Sequence, residues 1–80
     1  GANFEAADLS RAKLSSTNLV NVNLSRANLR GANLSWSSLR GANLRGATLY
    51  RTRLSWSNLS GADLTDAVMI NAKLDYTNLR

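Results

Sequence analysis

Large apolar side chains recur on every fifth residue of this chain. Leucine stands at positions 9, 14, 19, 24, 29, 34, 39, 44, 49, 54, 59, 64, 74 and 79, and Phe4 and Met69 fill the two gaps. A spacing of five suits neither regular element. On an α-helix five residues rotate about 500°, so the stripe winds around the axis and makes no face. On a continuous strand an odd spacing sends alternate leucines to water. A chain that turns a corner every five residues keeps them all on one side. The expected element is therefore a short extended side, then a corner, repeated.

The columns around each apolar centre agree. Two residues before it, ten of sixteen positions are Ala, and the others are Thr17, Val22, Ser37, Thr52, Ser57 and Thr77, all small. One residue before it stand eight Asn with Asp8 and Asp63. Two residues after it fall all five glycines, Gly1, Gly31, Gly41, Gly46 and Gly61, together with Asn21, Asn71 and Asp66. That is the choice a corner with positive φ imposes, because Gly, Asn and Asp tolerate it and β-branched residues do not. Arg11, Arg26, Arg51, Trp36, Trp56 and Tyr76 share the column. For those corners a type I or irregular turn is expected instead.

The motif A-N/D-L-x-x resembles the pentapeptide repeat family. Segments 31–34 and 41–44 read GANL, 61–64 GADL, 26–29 RANL and 6–9 AADL. The resemblance covers the whole chain. It implies an all-β fold, a right-handed quadrilateral parallel β-helix in which each pentad forms one side of a square. Four pentads make a coil of twenty, so the chain would hold four coils. The centre residue and the small residue two before it would point inward and the other three outward. No helical cap is evident at either end. The expected unit is one repeat domain, 1–80, excised from a longer protein or standing as an uncapped array.

Aligning the chain on twenty supports the coil from the residues themselves. One column reads Ser16, Trp36, Trp56, Tyr76, and the next reads Thr17, Ser37, Ser57, Thr77. Others read Asn3, Asn23, Asn43, Asp63 and Lys13, Asn33, Arg53, Lys73. Stacked strands lie about 4.8 Å apart, so residues twenty apart become neighbours. The inward Ser/Thr column is expected to bond its hydroxyls to backbone or to one another.

Composition narrows the function. There is no Cys and no His, which removes disulfides, thiolate metal sites and the commonest general base. A serine nucleophile would have only Lys13 and Lys73 as partners, and Asp63 with Asp66 makes a poor metal pair. The N-x-S matches at Asn23, Asn33 and Asn58 are by-products of the repeat phase. No enzyme activity, cofactor or metal is expected. No run is long and apolar enough to span a membrane, no basic-then-apolar leader is visible in this stretch, and a cytoplasmic setting is expected.

Charge and aromatic residues supply the candidate sites. Net charge is +5. By twenties it divides into zero, +6 over residues 21–60, and −1. Arg26, Arg30, Arg40, Arg45, Arg51 and Arg53 form the middle band. Trp36, Trp56 and Tyr76 form an outward file, with Arg53 on the same side. The leading reading is a non-enzymatic scaffold or protein-interaction module. Its alternative is a binder of nucleic acid or phosphate-bearing surfaces through the Arg band and aromatic file. A topoisomerase-interacting DNA mimic, which some members of the family are, ranks last because the charge has the wrong sign. A protein partner and an end-to-end homodimer through open edges complete the expected partners.

Overall fold

A computed structural model describes all residues 1–80. The chain contains no helix, and its β-structure consists of single-residue parallel bridges. Each bridge joins residues twenty apart, from Asn3–Asn23 through Asn58–Asn78. Turns recur every five residues along the whole length. The period of five is thus the side of a square, and the period of twenty is the rise from one layer to the next. The molecule is a block of 26 × 23 × 22 Å.

Backbone bonds hold the layers together. In the first three twenties the N–H of each centre residue reaches the next twenty, as in Leu24 to the Asn43 carbonyl at 2.7 Å. The preceding N–H reaches back, as in Asn43 to the Val22 carbonyl at 2.9 Å. Neighbouring layers therefore exchange bonds on every side. Between them runs a core of Leu19, Leu24, Leu29, Leu34, Leu39, Leu44, Leu49, Leu54 and Leu59, with the small residues Val22, Ala27, Ala32, Ala42 and Ala47 beside them. Two inward columns share the square, so one of them must be small. Apart from Leu19, the inward side chains of the first and last twenties are only partly covered, with Phe4 at 39% and Leu79 at 52% exposure.

The corners differ from the expectation at six positions. Arg11, Arg26, Trp36, Arg51, Trp56 and Tyr76 all have φ between 57° and 65°, matching the 66–71° of Gly31, Gly41, Gly46 and Gly61. Type I turns require negative φ there. Positive φ at the second central residue, with the first-to-fourth bond seen for instance from Ala32 N–H to the Leu29 carbonyl at 2.9 Å, is the type II pattern. One corner geometry is imposed by stacking: a layer that turned differently would lose register with both neighbours. Side chains that dislike positive φ accept a cost of about 1–2 kcal/mol each.

The Asn/Asp column acquires a function that its frequency alone did not reveal. All ten of its Asn and Asp residues accept the N–H two residues on, as Asn33 Oδ1 does from Ser35 at 3.0 Å. Each caps the first N–H of the coming corner. The inward hydroxyls bond mainly to backbone carbonyls rather than to one another. Thr52 reaches the Leu29 carbonyl, Ser57 and Thr77 reach that of Leu54, and Ser37 reaches that of Leu14, each at 2.6 Å. Ser37 also accepts the Thr17 N–H at 3.1 Å, so it bridges the corner of the layer beneath. No buried side-chain polar atom is left without a partner.

Candidate functional site

With the inward columns consumed by core and backbone, the chemistry-bearing side chains stand outward in register. The aromatic file occupies one corner. Trp36 and Trp56 stack with ring centroids 5.1 Å apart and planes 4° apart, and Trp56 and Tyr76 with 4.3 Å and 15°. The rings are nonetheless in solvent, exposed by 62%, 50% and 75% in chain order. Trp56 is covered on both faces. Trp36 and Tyr76 each keep one face free. The first twenty places Ser16 at this corner, so the free face of Trp36 looks over a short hydroxyl side chain.

The Arg band separates into distinct environments. Arg26 forms an ion pair with Glu5, and Arg45 pairs with Asp63 at 3.2 Å. Their partners come from the flanking twenties, which the division by layer had set apart from the band. The guanidinium carbons of Arg30 and Arg51 lie 4.8 and 5.3 Å from the ring centre of Tyr50, a double cation–π contact. Arg40 is exposed and has no ion pair. Arg53 stands among other cations and stacks on no ring.

Those other cations are residues that grouping by layer missed. Arg11, Lys13, Arg51 and Arg53 line a furrow of about 440 Å³ together with Ala12, Ser15, Gly31 and Asn33. A second hollow of about 550 Å³ lies between Arg51, Arg53 and Lys73, with Asn71 and Ala72. Five cations thus share one side of the square, and the structure's two ion pairs both lie elsewhere. The signal was in the columns twenty apart: Lys13, Asn33, Arg53, Lys73 and Arg11, Gly31, Arg51, Asn71. Tyr50, beside Arg30 in the same sense, was legible in the same way.

Two carboxyls are shifted. Asp8 lies below its ordinary value because the Ser10 hydroxyl and then the Ser10 N–H donate to it. Asp63 is lowered by the Thr65 hydroxyl first, then the Thr65 N–H, with Arg45 adding to both. Asp63 is thus tied to a turn and an arginine, and no three potential metal-ligating side chains cluster anywhere in the chain.

An all-β stack with corners at five, bridges at twenty and a leucine-filled square is a β-helical repeat protein. The family model described as pentapeptide repeats, in eight copies, matches residues 1–26, 7–46, 27–66 and 47–80. The chain belongs to the pentapeptide repeat family. Among solved structures it is similar to a pentapeptide repeat protein from Nostoc Pcc 7120, with 35% identity and TM-score 0.92 over 94% of this chain and 62% of that one. It is also similar to one from the cyanobacterium Cyanothece 51142, with 33% identity and TM-score 0.71 over 99% of this chain and 58% of that one. A third likeness is to a pentapeptide repeat protein of the Arabidopsis thaliana thylakoid lumen, with 26% identity and TM-score 0.61 over 98% and 61%. The chain therefore spans about three fifths of the length of these relatives. No curated protein matches it in sequence. No helix is long and apolar enough to cross a membrane.

Proposed function

We propose that residues 1–80 form a non-enzymatic interaction module: a right-handed quadrilateral β-helix of four coils, each of four pentads, belonging to a longer protein. The observation that carries it is the division of labour among columns. Inward residues are spent on core and backbone, while Trp36, Trp56 and Tyr76 stand stacked yet at least half exposed. Exposed, pre-ordered aromatics are the side chains that anchor protein interfaces, since little rotamer freedom remains to be lost. The module is proposed to act in the cytoplasm. A photo-crosslinking residue at Arg40 or Tyr76 is expected to capture a discrete partner, and capture should be lost when Trp36 and Trp56 become Asn with the circular dichroism unchanged. Equal capture from every outward column would show that no face is specific, and the reading would fall.

The unpaired cations on one side favour a second reading, binding of an anionic partner. Arg51 and Arg53 belong to that side, Arg30 borders it, and Arg40 is unpaired. Arg26 and Arg45 would contribute only by leaving Glu5 and Asp63. A titration with heparin at low salt tests this reading, and absence of binding removes it. An end-to-end homodimer covering Phe4 or Leu79 is the remaining proposal. Sedimentation showing a monomer at high concentration would exclude it.

A further inference from the structure

The furrow runs toward the aromatic file: its lining reaches Ser15, which precedes Ser16 in the file's own column. Gly31 and Asn33 line the furrow, and both belong to the second twenty. Arg11 and Lys13, from the first twenty, form one bank, and Arg51 and Arg53, from the third, form the other. The banks arise because Gly31 has no side chain and Asn33 is short. Asn33 is moreover turned to its own backbone, accepting from Ser35 N–H at 3.0 Å. Two layers separate the backbones of the banks, about 10 Å, and the Arg11 stem leans over Gly31, 3.5 Å from where its Cβ would stand. The furrow extends to Ser15. Along the second twenty the next corner residue is Trp36, three residues and at most about 10 Å of chain from Asn33. Its free face lies on the side of Ser16.

Building on the anion-binding reading, we propose that this side binds single-stranded nucleic acid. The sugar–phosphate strand lies in the furrow between the two banks of cations, and one base stacks on the free face of Trp36 above Ser16. Cationic banks and a planar platform at its end are the two elements such recognition needs. The cations would serve a duplex as well, but the platform would not, because duplex bases are already stacked on one another. Trp36 is favoured over Tyr76, the other ring with a free face, because Asp75 adjoins Tyr76 and repels phosphate, whereas Ser35 adjoins Trp36. Asn33 and Ser15 add polar groups within the furrow without adding negative charge.

The test compares three probes at low salt: labelled oligothymidylate, an abasic sugar–phosphate oligomer of equal length, and heparin. Oligothymidylate is expected to quench tryptophan fluorescence and to bind roughly tenfold or more tightly than the abasic oligomer. Trp36→Asn, which suits the positive φ, should remove that preference and leave heparin binding unchanged, and Trp36→Tyr should restore it. Tyr76→Asn should change neither. Replacing Lys13 and Arg53 by Ser should weaken all three probes and flatten the salt dependence by about 0.7 in log–log slope per lost phosphate contact. Equal affinity of the wild-type protein for oligothymidylate and the abasic oligomer would overturn the base-stacking site while leaving anion binding in place, and it needs no variant to fold. Equal losses from Trp36→Asn and Tyr76→Asn would also overturn it, by pointing to the whole file. Failure of every probe to bind would remove both this proposal and the anion reading beneath it.

Discussion

Trp56 offers a direct test of the corner geometry. It sits at φ 64° and stacks on both Trp36 and Tyr76. Replacement by Ala deletes two aromatic pairs, each contributing about 0.5–1.5 kcal/mol, so a loss of roughly 1–3 kcal/mol is expected. Replacement by Gly deletes the same pairs but changes the backbone cost as well. An alanine held at positive φ costs about 1–2 kcal/mol in the folded state. Glycine avoids that cost and gives back about 0.5–1 kcal/mol through its freer unfolded chain. The folded-state effect is larger, so Trp56→Gly is expected to be more stable than Trp56→Ala by about 0.5–1 kcal/mol. In a domain of this size such a difference moves Tm by several degrees, about 4–8 °C per kcal/mol. Urea and thermal unfolding followed by circular dichroism measure it without relying on the tryptophan signal. At an extended or helical position the order of Ala and Gly reverses. An Ala variant equal to or more stable than the Gly variant would therefore refute the positive-φ corner and the stacking argument that requires it.

Four further outcomes rest on the core and on the corner hydrogen bonds. Leu44→Ala, at a fully buried centre, should cost about 2–5 kcal/mol in urea unfolding, whereas Leu79→Ala, half exposed, should cost about 1 kcal/mol; similar losses at both sites would contradict the layered core. Thr52→Val removes the 2.6 Å bond to the Leu29 carbonyl, which still accepts from Ala32, so a loss of about 0.5–1.5 kcal/mol is expected, and no change would show that the buried hydroxyl adds nothing. Asn43→Ala, which frees the Arg45 N–H, should cost about 0.5–1.5 kcal/mol. Asp63→Asn keeps the acceptor, so stability near neutral pH should change little. The folded Asp63 carboxyl is lowered below 3.8, so its contribution is complete above the unfolded value and disappears as pH falls through the folded one. The acid limb of unfolding should therefore be shallower in the Asn variant, and an unchanged limb would remove Asp63 as a contributor.

Much of the architecture was readable because a strict period leaves few geometries open. Leucines five apart demanded corners, the glycine column located them, and the Trp36, Trp56, Tyr76 column announced the stack before any coordinate. Local side-chain preference, taken residue by residue, predicts the wrong turn at Arg11, Arg26, Arg51 and the aromatic corners. In the structure each corner is constrained by the corners above and below, and that constraint overrides side-chain preference. The Asn/Asp column was visible as a frequency, but its purpose depends on an oxygen reaching a specific N–H.

The candidate site was less legible. Counting charge by layer suggested a uniform band over residues 21–60. In space, Glu5 and Asp63 reach across layer boundaries to Arg26 and Arg45, while Arg11, Lys13 and Lys73 join Arg51 and Arg53 on one side. The sequence by itself determined the period of five, which the leucine spacing states directly; the coil of twenty and the inward and outward columns are what the resemblance to the pentapeptide repeat family implies, supported by the like residues found twenty apart. Only the tertiary structure decided the turn type, the destination of each hydroxyl and which arginines remain unpaired. The ion pairs and most of the inward hydroxyl bonds span layers, and each turn is held in register by the layers stacked on it, so no single layer contains the whole determinant.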